Sequence, residues 1–157
     1  MILEELKKND LLQMLSFINT EMEQMYFVVD KTFKVQYSNQ AFHLFFKKDD
    51  SEITDHDFGD VLGCGNMFKD GKFCAFTSYC KTCEIRQNLH HIFNKTKDRV
   101  VFDLVREYLI MEETIIRHLQ FKIMPISLNG ENFAICLVED LKDKDALKIL
   151  NDPEALA

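Results

Sequence analysis

Four cysteines, Cys64, Cys74, Cys80 and Cys83, stand in one short stretch with the spacing C-x9-C-x5-C-x2-C. Thiolates are nucleophiles and soft metal ligands. A cluster of them therefore does metal ligation, thiol–disulfide exchange, or nothing beyond packing. Cys80-Lys81-Thr82-Cys83 is the half-site in which two intervening residues let both sulfurs reach one ion from a tight turn. Four thiolates suit zinc or an iron–sulfur cluster, and the spacing does not choose between them. A zinc ribbon would carry a second C-x2-C pair, and the compact cysteine run of bacterial ferredoxins is absent. The redox alternative joins Cys80 to Cys83, or either of them to Cys74, in a disulfide. A thioredoxin-like use of the pair wants a βαβ setting, which the chain lacks. Four of the five glycines, Gly59, Gly63, Gly65 and Gly71, share the stretch. That suits ligand loops, which need backbone conformations only glycine reaches without strain. Cys136 lies in the apolar run Phe133-Ala134-Ile135-Cys136-Leu137-Val138 and reads as a core strand residue rather than a fifth ligand. His90 and His91 lie on the helix after the cysteines; either could join a metal site, but on a half-exposed helix such histidines are more often packing or surface residues.

The elements that must position these thiols follow from periodicity. Residues 1–24 read as mostly helical. Leu11, Leu15, Ile18, Met22 and Met25 step by four and three, a stripe of coiled-coil type about two heptads long. Such a stripe serves a dimer seam or packing on the helix's own domain. Asp10 with Gln13 forms a candidate cap that would start the main helix there. Two short strands, Tyr26–Asp30 and Phe33–Tyr37, flank a turn, and Phe33, Val35 and Tyr37 alternate onto one face. Asn39 is placed to cap a helix holding Ala41, Phe42, Phe45 and Phe46. Residues 47–60 are acidic and read as a loop or short helices without the calcium-loop spacing. Glu84–Thr96 reads as a helix with Ile85, Leu89, Ile92 and Phe93 on one face. Arg99–Ile110, Thr114–Ser127 and Asn132–Val138 are strand runs, the last two joined at Asn129-Gly130, a strong hairpin signal. Residues 141–150 read as a short helix. Strand runs around a helical block predict an α+β domain with an antiparallel sheet.

Composition narrows the function classes. A chain of 157 residues holds one domain. A net charge of −7 disfavours nucleic acid and anionic membrane surfaces as partners. No apolar run is long enough to span a bilayer, and the charged start Met1-Ile-Leu-Glu-Glu-Leu-Lys-Lys lacks the apolar core of a signal peptide, so the expected location is cytoplasmic. P-loop, G-x-S-x-G and H-E-x-x-H motifs are missing, which disfavours an enzyme.

The segments Phe27-Val28-Val29-Asp30 to Tyr37-Ser38-Asn39-Gln40-Ala41-Phe42, and Leu119–Ile126 through Asn129-Gly130 to Leu137-Val138-Glu139-Asp140-Leu141, resemble the PAS sensory-domain family. Asp140 matches the Asp of the family's exit triplet, while Leu141 and Lys142 depart from the rest. The likeness covers roughly residues 24–142. It implies a five-stranded antiparallel sheet with helices on one face; the N-terminal helix over 1–23 and a short C-terminal helix and tail over 143–157 flank that domain. Gly59-Asp60-Val61-Leu62-Gly63-Cys64, then Cys74, then Cys80-Lys81-Thr82-Cys83-Glu84-Ile85-Arg86 is similar to a cysteine-bearing subgroup of bacterial PAS domains. Phe73 and Ala75, around Cys74, replace the small residues expected there. The resemblance implies that Cys64, Cys74, Cys80 and Cys83 hold an iron–sulfur cluster or act as a redox switch, with zinc or no metal as alternatives. It implies a sensor of redox state, oxygen or iron. Such a sensor is expected to be a homodimer through its N-terminal helix and to signal through a separate output protein. A plain interaction module with packing cysteines is the remaining reading.

Overall fold

The computed structural model describes residues 8–65 and 83–141 of the chain. The described elements run α1 (Lys8–Glu21), β1 (Met25–Val29), β2 (Val35–Ser38), α2 (Gln40–Phe46), α3 (Asp50–Ile53) and α4 (Phe58–Leu62). Then come α5 (Glu84–Phe93), β3 (Val100–Ile110), β4 (Glu113–Leu128) and β5 (Glu131–Asp140). All strand pairs are antiparallel, and the five strands lie in the order β2-β1-β5-β4-β3. The last strand in sequence is thus the middle one in space.

Alternation decides which side of the sheet is core. Phe27 and Val29 of β1, Leu104 and Tyr108 of β3, Leu119, Phe121 and Ile123 of β4, and Ala134, Cys136 and Val138 of β5 are buried in one cluster. Phe42 and Phe46 of α2, Phe58, Val61 and Leu62 of α4, and Ile85, Leu89 and Ile92 of α5 fill it from the helical side. Apolar burial of this kind contributes about 25 cal/mol per Å² removed from water, the main drive for the fold. No helix among the described residues is long and apolar enough to cross a membrane.

Local chemistry sets the connections. Asn129 and Gly130 have φ of 52° and 80°, as the two-residue turn between twisted strands demands. Pro125 pairs with Ala134 of β5, whereas the β3 pairing of β4 ends at Ile123, so its missing donor breaks no ladder on that side. Asn39 caps α2 as expected. Three expectations are corrected. Asp10 lies inside α1, which already runs from Lys8, so it is not the cap. Met25 begins β1 rather than ending the helical stripe. Tyr37 is 54% exposed and does not share the buried face of Phe33 and Val35. The register slips between Val28 and Val29, which face Tyr37 and Val35, and that irregularity reverses the alternation. The helix expected over 141–150 falls, beyond Leu141, outside the described residues.

The β1–β2 turn is held by Asp30. Its Oδ1 accepts from the Thr32 backbone and hydroxyl and from the Lys34 backbone, and its Oδ2 accepts from Gln36 Nε2. Partial burial pushes the carboxyl up, but these hydrogen bonds outweigh it and hold the pKa below the usual Asp value. A depressed folded pKa gives stability that is present above the unfolded pKa of about 3.9 and is lost as pH falls through the folded value. Asp30→Asn should therefore cost about 1 kcal/mol at neutral pH. It should also flatten the loss of stability between pH 5 and 3 in urea titrations. Equal acid sensitivity in both proteins would show that Asp30 contributes none of it.

Candidate functional site

Cys64 and Cys83, the first and last of the four cysteines, are brought to one place on the sheet. Cys74 and Cys80 lie outside the described residues, as does Gly71. Cys64 is carried by the strip Gly63-Cys64-Gly65, which leaves α4 and lies against β3. Gly63 ends α4 with φ of 71°, and its carbonyl accepts from Leu109 N at 2.7 Å. Cys64 bridges to Tyr108 in antiparallel fashion. The Cβ that Gly65 lacks would stand 2.8 Å from the Glu107 carbonyl oxygen, so the strip touches the strand backbone directly. Lys48 fixes α4 by donating from Nζ to the carbonyls of Asp60 and Val61, both at 2.8 Å. Cys83 stands immediately before α5 at its N-cap position and is buried. α5 is held by the burial of Ile85, Leu89 and Ile92. Its Arg86 guanidinium lies between the rings of Phe33 and Phe58, at 5.2 and 5.1 Å from their centroids.

The group between the two cysteines is Arg106. Its Nη1 stands 3.8 Å from the Cys64 sulfur and 3.8 Å from the Cys83 sulfur. The two sulfurs are therefore no farther apart than twice that distance. In β3, Leu104, Arg106, Tyr108 and Ile110 alternate onto the core side, so the guanidinium faces inward among apolar neighbours. Arg117 of β4 stands opposite it in register. Burial opposes the charge of Arg106, but the Cys83 and Cys64 sulfurs more than offset this and hold its pKa above the ordinary guanidinium value. Tyr108 follows two positions on, fully buried, and its hydroxyl meets no hydrogen-bond partner among the described residues. Burial pushes this phenol well up.

Among the described residues no three His, Cys, Asp or Glu side chains gather as a metal site. What the described chain does offer is two soft sulfur donors, a cation beside both, and a buried hydroxyl awaiting an acceptor. That set fits a thiolate-bound metal or cluster, whose ligating sulfurs carry negative charge and accept hydrogen bonds. Cys136 is not part of it. It sits in β5 opposite Phe27 and Ile123, fully buried, and burial pushes its thiol far up, which makes it inert. His90 packs its ring 4.8 Å from that of Phe33, and His91 Nδ1 pairs with the Thr96 hydroxyl at 2.8 Å.

Arg106 and Tyr108 are the site residues that cysteine spacing did not reveal. The signal that finds them is an Arg at an inward position of an alternating strand, where the pattern calls for an apolar residue.

No protein-family model and no curated protein matches the chain. Solved structures do. The PAS domain of an HTR-like protein from Haloarcula marismortui is similar at a TM-score of 0.60 and 14% identity, over 85% of this chain and 99% of that one. The PAS domain of BvgS from Bordetella pertussis is similar at a TM-score of 0.55 and 17% identity, over 95% of this chain and all of that one. The PAS domain of nitrogen regulation protein NR(II) from Vibrio parahaemolyticus is similar at a TM-score of 0.55 and 11% identity, over 81% and 97%. At these identities the likeness is one of architecture. The five-stranded antiparallel sheet with its helices on one face has the fold of a PAS domain.

Proposed function

We propose that this chain is a cytoplasmic sensory PAS domain in which Cys64, Cys74, Cys80 and Cys83 bind an iron–sulfur cluster and report redox state, oxygen or iron. The observation that carries this reading is the convergence of the Cys64 and Cys83 sulfurs on Arg106 Nη1, at 3.8 Å each, on the core face of the sheet. A bound cluster would supply the redox or oxygen response. The chain's own residues supply the readout. Cys64 is fastened to β3 through its bridge to Tyr108, and Cys83 leads straight into α5. A change in the restraint on the Cys83 sulfur therefore bears on the first turn of α5, which packs against β4 and β5.

The output we propose is a homodimer acting on a separate protein, without catalysis by this domain. Leu15 and Phe17 of α1 are 53% and 67% exposed, with Met14 and Ile18 beside them, which favours α1 as the dimer helix.

The test is anaerobic purification followed by iron and zinc analysis and a visible spectrum. Wild type should carry iron with sulfide-to-iron absorption, and Cys64→Ser or Cys83→Ser should lose most of it, roughly tenfold or more. A protein colourless after reconstitution with iron and sulfide would overturn the cluster. One tightly held zinc would replace it with a structural four-thiolate site.

A further inference from the structure

A half-buried cation and a buried hydroxyl beside two sulfurs have a cost that must be met. A guanidinium on the core side of a sheet loses much of its hydration, and only adjacent negative charge makes that position tolerable. The Tyr108 hydroxyl is more telling. It is shut away from water and meets no partner among the described residues, which costs about as much as a lost hydrogen bond. A phenylalanine would fill the same space next to Phe46 without that penalty. Tyr108 nonetheless stands opposite Cys64 in the bridge to β3 and two positions from Arg106 on the same strand face.

We propose that Arg106 and Tyr108 are the positioning donors of the thiolate centre. Arg106 donates to the Cys64 and Cys83 sulfurs, compensates their charge and holds both toward one point. Tyr108 gives its hydroxyl hydrogen to the centre once that is formed. The inference rests on the four-thiolate reading above. It adds what cysteine spacing does not specify, namely how an acidic chain of net charge −7 keeps a negative centre inside its core. Hydrogen bonds and charge around the sulfurs are also what set the potential of such a centre, so these two side chains would tune it as well as hold it.

Anaerobic cobalt(II) titration of the metal-free, reduced full chain, followed by the thiolate-to-cobalt charge-transfer band, tests this. The variants are Arg106→Met, Arg106→Lys and Tyr108→Phe, and the thermal midpoint of each metal-free protein is measured in parallel. Arg106→Met should weaken cobalt binding by roughly 10- to 100-fold. Arg106→Lys keeps the charge without the forked donor and should fall between it and wild type. Tyr108→Phe should weaken binding several-fold while leaving the metal-free thermal midpoint unchanged or higher, a split that a merely structural role does not give. If Arg106→Met does not fold, Arg106→Lys and Tyr108→Phe decide. Wild-type affinity in the folded variants overturns the proposal while leaving the four-thiolate centre standing. A wild-type chain that shows no charge-transfer band overturns both.

Discussion

Gly63→Ala should unfold the domain at ordinary temperatures or tear Cys64 away from β3. Two penalties fall on one methyl group. The residue has φ of 71°, where a side chain costs about 1 kcal/mol or more, and the new Cβ would stand 2.2 Å from the Leu109 carbonyl oxygen. That oxygen belongs to the backbone of β3, so it cannot rotate aside. Relief requires breaking the 2.7 Å bond from Leu109 N to the Gly63 carbonyl, and with it the bridge from Cys64 to Tyr108. The expected loss is about 3 kcal/mol or more in urea unfolding, a large share of the stability of a small domain. Gly130→Ala is the control. Its φ is 80°, but nothing lies within 4 Å of the added Cβ, so it should lose only about 1 kcal/mol. Equal losses at both positions would show that the strip does not press on β3.

Asn39→Ala should be nearly as damaging, for a different reason. Asn39 is fully buried, and its one amide does three jobs. Oδ1 accepts from Phe42 N at 3.2 Å, which caps α2, and from Tyr26 N at 3.0 Å, while Nδ2 donates to the Gln24 carbonyl at 2.8 Å. The side chain thus fastens the start of α2 to the entry of β1. Removal leaves several backbone groups unpaired, at about 1 kcal/mol or more each, for a total near 3 kcal/mol. Asn39→Asp keeps the acceptor and loses the donor, so it should fall between Ala and wild type. Thermal unfolding of the three proteins checks the order, and an alanine variant as stable as wild type would remove Asn39 from the list of structural anchors.

What could be read from the chain alone was what is encoded locally. Asn129-Gly130 specifies its turn because two adjacent residues need positive φ. Asn39 announces α2 because a cap acts over three residues. The alternating runs of β3, β4 and β5 mark their own buried faces. The misread features depend on partners distant in sequence. Tyr37 turns outward because Gln36 is skipped in the pairing of β2 with Val28 and Val29 of β1, a register that β2's own pattern does not record. The glycines near the cysteines are not one device. Gly63 supplies a left-handed cap, Gly65 supplies close approach to Glu107, and Gly59 is buried within α4. Arg106 joins Cys64 and Cys83 only because the strip after α4 lies along β3, a register written in no local pattern.

The strand order also dictates when this domain can form. β5 is made last and sits in the middle, pairing Met25–Val29 on one side and Leu119–Leu128 on the other. Until it arrives, β1 with β2 and β3 with β4 are two hairpins with no shared edge, each marginal in water. Joining them requires closing a loop that spans most of the chain, which places the entropic barrier late and makes folding slow relative to a helical domain of this size. During synthesis the cysteine segment is therefore out of the ribosome well before the sheet that will receive it exists. Cys64 and Cys83 can become neighbours only once β3, which carries Arg106 and Tyr108, has been made.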